Sequence, residues 1–353
     1  MKKPWRSATE VVHRGRAPRK FLGAVNTPVF RASTILFPTV ADLERVERGE
    51  YDGVSYGLHG LPTVTDLQDA IAELEGGAAA FAVPSGLTAT TLPLLALTKA
   101  GDHVLMTDAV YFPTRRFCAN TLARYGVEVE FYDPSIGAGI ERLFRPNTRA
   151  VFVESPGSLT FEVQDVPAIA AVAHARDAWV IADNTWATPL NCRVIDLGAD
   201  VAVHAATKYI GGHSDLLLGL IVCNEATRDA MHRLWTDIGV TASSDDCFLG
   251  LRGLRTLAVR LAQHQRSALT VASWLAQRPE VAEVVYPALP QSRGHALWQR
   301  DFRGASGLFG VVLKPVAKDR VDAMLDSLSL FAMGWSWGGF ESLAIRIRPN
   351  RAR

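Results

Sequence analysis

Two apolar runs of strand character each end in a group able to do chemistry: VIAD closes on Asp183 and VAVHAATK closes on Lys208. A lysine that forms a Schiff base needs an amine whose pKa its surroundings lower. A pyridine-type cofactor needs a carboxylate that keeps its ring nitrogen protonated, so that the ring accepts electrons. Lys208 and Asp183 offer both. A lysine standing alone is more often a salt-bridge partner or a helix-end charge, and it is the company of Asp183 that favours the catalytic role. Ser85-Gly86-Leu87 adds a third part. The apolar run AAAFAV (78–83) leads into PSG and a helical pattern starts at once, so free N–H groups face outward at a helix N-terminus, a natural phosphate site. Thr207 can add a hydroxyl there. Such a strand–turn–helix is by itself an ordinary connection, and its weight comes from occurring with the other two.

The elements that must position these groups follow from the hydrophobic pattern. TDLQDAIAELEG (65–76) carries apolar residues at helical spacing and stops at Gly76 and Gly77, and LTATTLPLLALTK (87–99) reads as a second helix. DHVLMTD, VEVEFYD, RAVFVESP, AWVIADN and DVAVHAATK then recur as short β-rich runs with helical or loop segments between most of them. This alternation predicts a mainly parallel sheet covered on both faces, with ligands at the carboxyl ends of its strands. The polar candidates fall at that edge, and consecutive strands would bring Asp183 and Lys208 into one cleft.

The first sixty residues are rich in Pro, Gly and Arg with little periodicity, which predicts an extended arm (1–60) packed on something else, such as a neighbouring subunit. A large domain over 61–250 and a smaller one over 251–353 are expected. The latter opens on the long amphipathic run LRTLAVRLAQHQRSALTVASWLAQR and continues through two short strands, VAEVVYPALP and SGLFGVVLKP. At 353 residues with 48% hydrophobic and 21% charged positions, a sizeable core is available. A formal net charge of +1 argues against a nucleic-acid partner, which would need a basic face. No apolar run is long enough to span a bilayer and no secretory leader is seen, so a soluble cytoplasmic protein with no membrane partner is expected. Cys118, Cys192, Cys223 and Cys247 lie far apart, with no zinc or redox spacing, and no metal site is expected.

At these residues the chain resembles the Cys/Met-metabolism pyridoxal-phosphate enzymes, in their cystathionine β-lyase branch. The resemblance spans nearly the whole chain. It is carried by VPSG (83–86), DAVYFPTRRFC (108–118), ESPGSLTFEVQDVPAI (154–169), IADNTW (181–186), AATKYIGGHSD (205–215), GLRTLAVRLAQH (253–264), PALPQSRGH (287–295) and SWGGFESL (336–343). ESPGS and AATK look like this branch rather than the γ-synthase and γ-lyase relatives. The resemblance implies the fold-type-I aminotransferase-like architecture, a mainly parallel sheet flanked by helices plus a smaller α+β domain, and pyridoxal 5'-phosphate as cofactor. It also implies an amino-acid substrate and a homo-oligomer, a tetramer in the family. By the same resemblance Lys208 matches the lysine that holds the cofactor, Asp183 the partner of its ring nitrogen, and Tyr111 the aromatic ring stacked on it. Gly86, Leu87 and Thr207 match phosphate contacts. Tyr56 matches a tyrosine that reaches the phosphate of the adjacent subunit's cofactor, and Ser336 and Trp337 match residues around the lysine and the substrate carboxylate.

The implied reaction is elimination of homocysteine from cystathionine, leaving pyruvate and ammonia, with Lys208 as the base that removes the α-proton. A γ-lyase, a broad cysteine-conjugate β-lyase and a catalytically impaired cofactor-binding homologue are the alternatives. Two departures bear on them. Leu58 stands where the family usually has an arginine two residues after the tyrosine, and losing that contact would cost roughly 1.5–3 kcal/mol of cofactor affinity. The chain also ends at RIRPNRAR, with no counterpart of the arginine that in relatives binds the substrate carboxylate; Arg346 and Arg348 are nearby in sequence only.

Overall fold

Strands buried on both faces cannot alternate apolar with polar residues, and the uniformly apolar runs among those picked out above are buried strands of a central sheet, while the alternating VEVEFYD forms its half-exposed edge. A computed structural model describes residues 5–349 and 351. The strands are β1 (Ala79–Val83), β2 (His103–Thr107), β3 (Glu128–Tyr132), β4 (Thr148–Glu154), β5 (Trp179–Asp183), β6 (Val201–Ala205) and β7 (Gly219–Cys223). They form one seven-stranded sheet in the order β1-β7-β6-β5-β4-β2-β3. Pairings from β6 through to β3 are parallel, whereas β7 runs antiparallel to both β1 and β6. The sequence pattern did not single out β7; its run is as uniformly apolar as its neighbours, and apolar content carries no sign of direction.

One apolar cluster lies on each face. Helix Pro62–Glu75 packs on the first, ending as expected at Gly76 in the left-handed conformation (φ 84°). Helices Gly86–Leu97 and Glu225–Ile238 pack on the second. The long helix spans Ser244–Leu275, with Ser243 capping its N-terminus, so it begins ten residues before the amphipathic run that announced it. β8 (Val281–Val285) and β9 (Gly310–Leu313) form a separate antiparallel pair.

The N-terminal segment departs from a plain extended arm. Ser7–His13 and Val40–Glu47 are helical, and the first of these docks on the long helix of its own chain. Arg255 holds it there by donating to the carbonyls of Val11, Val12, Arg14 and Gly15. Val11, Thr27 and Gly60 are the buried residues among the described positions up to 60.

Candidate active site

Because β5 and β6 are adjacent and parallel, with Asp183 paired to Val203, their carboxyl ends lie side by side. Asp183 is the last residue of β5 and is buried, with 8% of its surface exposed. Its Oδ1 accepts the Thr185 N–H at 2.9 Å. Burial raises its pKa, opposed by the Thr185 hydrogen bonds, His204 and Lys208. Lys208 sits in the turn after β6, its N–H bonded to the Ala205 carbonyl at 2.9 Å. Its Nζ donates to Ser336 Oγ at 2.6 Å and lies 5.0 Å from the centre of the Trp337 ring. Burial lowers the amine pKa to about 8, although Asp183 pulls the other way. The amine is thereby brought close to the range where a useful fraction is neutral.

Ser336 adopts φ 82°, a left-handed conformation uncommon for a residue with a side chain. The neighbouring Gly338 explains how this segment comes so close. A Cβ there would lie 2.8 Å from the Tyr209 nitrogen and 2.9 Å from the Lys208 carbonyl carbon, so the SWGG turn rests directly on the lysine's backbone. Trp337 packs on Tyr209 with ring centres 5.4 Å apart. Arg260 braces the same stretch from the long helix by donating to the carbonyls of Tyr209 (2.6 Å), Ile210 (3.2 Å) and Gly253 (2.8 Å). Neither Gly338 nor Arg260 was visible as a site residue in the sequence. Both act through backbone, which residue type does not advertise.

Ser85 caps helix Gly86–Leu97, its hydroxyl accepting the Thr88 N–H at 3.1 Å. Gly86 is required there, because a Cβ would lie 2.5 Å from Ala205 Cβ. The helix N-terminus, with Leu87 in its first turn, is thus pressed against the end of β6 just before Lys208. The Thr207 hydroxyl is engaged by Leu218, whose N–H it accepts at 3.0 Å. Tyr111 opens helix Phe112–Asn120, with its N–H bonded to Glu154 Oε2 at 2.7 Å and 41% of its surface exposed. Its phenol pKa is raised by burial, Glu154 and Asp183. Tyr56 lies apart from this group: it bridges to Thr34 and meets His59 ring to edge, and among the described residues it makes no hydrogen bond or ring contact with Lys208, Asp183 or Tyr111. Arg346 is taken up by Asp322 at 3.0 Å.

Over residues 8–349 the chain matches the family described as Cys/Met metabolism PLP-dependent enzyme. It belongs to that family. Cystathionine beta-lyase MetC of Escherichia coli (strain K12) is 45% identical over 346 residues, covering 97% of this chain and 88% of the relative. Cystathionine beta-lyase of Salmonella typhimurium is 43% identical over 347 residues, covering 97% and 88%. The crystal structure of metB from Corynebacterium glutamicum superposes with a TM-score of 0.90 at 30% identity, covering 96% of this chain and 86% of that one. The fold is accordingly that of the fold-type-I enzymes, and the cofactor is pyridoxal 5'-phosphate. The family member described here fits that group. It has a buried carboxylate of the kind a pyridine nitrogen needs, a lysine whose amine pKa is lowered, a half-exposed tyrosine beside Glu154, and a helix N-terminus that abuts β6 where glycine alone fits.

Proposed function

We propose that this chain catalyses carbon–sulfur β-elimination from L-cystathionine, releasing homocysteine, pyruvate and ammonia. The observation that carries this is the placement of the Lys208 amine. It is held by Ser336 and Trp337, with its pKa near 8, one strand away from the buried Asp183. An amine so placed can attach the cofactor and, once displaced by the substrate, take the α-proton as a general base. Bound pyridoxal phosphate supplies the electron sink for the charge left at the α-carbon. Asp183 holds the proton on the pyridine nitrogen, the Gly86–Leu87 turn with Thr207 binds the phosphate, and Tyr111 covers the ring. Ser336 orients the Lys208 amine while Trp337 walls the substrate side.

The exposed Tyr56 fits a role in trans, contributing to the phosphate site of a neighbouring subunit in a tetramer. With Leu58 beside it instead of a cation, cofactor is held less tightly than an arginine there would allow. A cytoplasmic location is part of this proposal, as suits an enzyme acting on a free amino acid. The purified protein, scanned with and without added pyridoxal phosphate and then assayed on cystathionine, tests this function. A visible cofactor band with pyruvate release is expected. Release of 2-oxobutyrate would make it a γ-lyase, and a band without thiol release would leave a cofactor-binding homologue.

A further inference from the structure

β4 ends on Glu154 and β5 on Asp183, and the parallel register pairs these two residues directly. Both side chains therefore leave the same face of the sheet at its carboxyl edge, on strands about 4.8 Å apart. Glu154 Oε2 accepts the Tyr111 N–H at 2.7 Å, at the head of a helix that has no side-chain cap of its own. The Glu154 main chain is fixed in turn: its carbonyl accepts Gln164 Nε2 at 2.7 Å, and Gln164 Oε1 accepts the Tyr132 hydroxyl at 2.8 Å. The groups facing the Glu154 carboxyl are Asp183 from β5 and Tyr111 from the helix; from the β6 side the Lys208 charge acts on Asp183, while His204 is turned to the other face of the sheet and bonded to Glu75 at 3.0 Å. Among the described residues no Lys, Arg or His forms an ion pair with Glu154. Two unpaired carboxylates on adjacent strands resist ionising together. Glu154 is half-buried, and its loss of solvation together with the Asp183 charge pushes its pKa above the usual carboxyl range.

We propose that Glu154 is a positioning residue of the cofactor site that carries its proton. One oxygen anchors Tyr111 over the ring plane that Asp183 addresses, and its neutrality leaves Asp183 as the single anion facing the pyridine nitrogen. This rests on the cofactor function proposed above. The test is a titration of wild-type, Glu154→Gln and Glu154→Ala apoproteins with pyridoxal phosphate between pH 6 and 9, reading visible absorption and induced circular dichroism. Glutamine keeps both the shape and the neutrality, so its Kd should stay within about threefold of wild type and its pH profile should coincide. Alanine should raise Kd by about tenfold and weaken the induced dichroism, because Tyr111 loses its anchor. If the alanine variant fails to fold by far-ultraviolet dichroism, Glu154→Asp, one methylene shorter, takes its place with the same expectation. A glutamine profile displaced by a unit or more would show that Glu154 works as an anion and overturn the proposal. So would an alanine or aspartate variant that binds and reads like wild type. Wild-type protein that takes up no cofactor sinks the cofactor function itself, a failure distinct from insensitivity of the variants.

Discussion

Lys208 Nζ donates to Ser336 Oγ at 2.6 Å, joining the turn after β6 to a segment 128 positions further along the chain. Ser336 is thus the group that fixes where the amine points. Ser336→Ala should leave the cofactor attached but let the amine wander from the α-proton. A fall in kcat of about tenfold is expected, with a smaller change in KM, as for loss of one hydrogen bond to a group that is charged in part of the cycle. Steady-state kinetics check this, and an unchanged kcat would remove Ser336 from the positioning of Lys208.

The amine pKa of about 8 also predicts how the apoprotein meets its cofactor. Only neutral amine attacks the aldehyde, and at pH 7 about a tenth of Lys208 is neutral. The rate of cofactor uptake should climb nearly tenfold per pH unit up to about 8 and then level, as measured by stopped-flow absorbance. Stability runs the same way. A lysine whose folded pKa is lowered penalises the fold fully below that value, and the penalty fades as pH rises from about 8 toward 10.5. Lys208→Met should therefore stabilise the apoprotein most below pH 8, by about 1–3 kcal/mol, while abolishing the visible band.

Asp183→Asn separates charge from shape. The amide oxygen can still accept the Thr185 N–H, but in the proposed role it could no longer keep a pyridine nitrogen protonated. Cofactor should bind and kcat should fall by roughly 10²–10³. The buried carboxyl has a raised pKa, so its ionised form burdens the fold above that pKa and the burden lifts as pH falls. The asparagine apoprotein should accordingly melt at higher temperature than wild type at pH 7, by calorimetry. Lower stability would mean that the Asp183 charge is better satisfied by Thr185 and Lys208 than its burial suggests.

Much of this site is legible in sequence because strand ends are. Asp183, Lys208 and Ser85 each close an apolar run, and in a parallel sheet all such ends reach one edge. That β5 and β6 are neighbours, as expected of consecutive strands, completes the meeting of Asp183 with Lys208. Glu154 also ends a strand, yet its pairing with Asp183 depends on register, which uniformly apolar runs leave unspecified. Ser336 and Trp337 reach the lysine across a turn whose close approach depends on Gly338, and nothing in the local pattern of SWGG states what it will rest upon. The helix at Ser7–His13 was likewise hidden: with Val11 as its one buried residue, it has too little apolar periodicity to register.

Gly86→Ala tests the phosphate end. The added Cβ would lie 2.5 Å from Ala205 Cβ, inside any tolerable contact, so either the head of helix Gly86–Leu97 or the end of β6 must move. Gly86 is the first residue of its helix, so a small shift of the helix head relieves most of the strain. Global stability should therefore change little, while the N–H groups at the helix head lose their aim. The expected signature is a rise of about tenfold or more in the cofactor Kd with a melting temperature of the apoprotein close to wild type.

Arg260→Ala should show the opposite balance. The guanidinium donates to the carbonyls of Tyr209, Ile210 and Gly253, and its pKa is pushed down to about 10 by burial. Removing it leaves the Tyr209 and Ile210 carbonyls, which face the long helix, without their donor, at about 1–3 kcal/mol for an unsatisfied buried group, whereas Gly253, within that helix, keeps the Thr256 hydroxyl. The segment loosened is the one that follows Lys208, and Gly253 packs against it so tightly that a Cβ there would lie 2.1 Å from the Ile210 carbonyl oxygen. A lysine in place of Arg260 supplies the charge without the planar fork, so it cannot reach three carbonyls at once. Both Arg260→Ala and Arg260→Lys should lower the unfolding midpoint of the apoprotein in denaturant, alanine more than lysine. If lysine restored wild-type stability, charge rather than the three-carbonyl geometry would be what holds this turn.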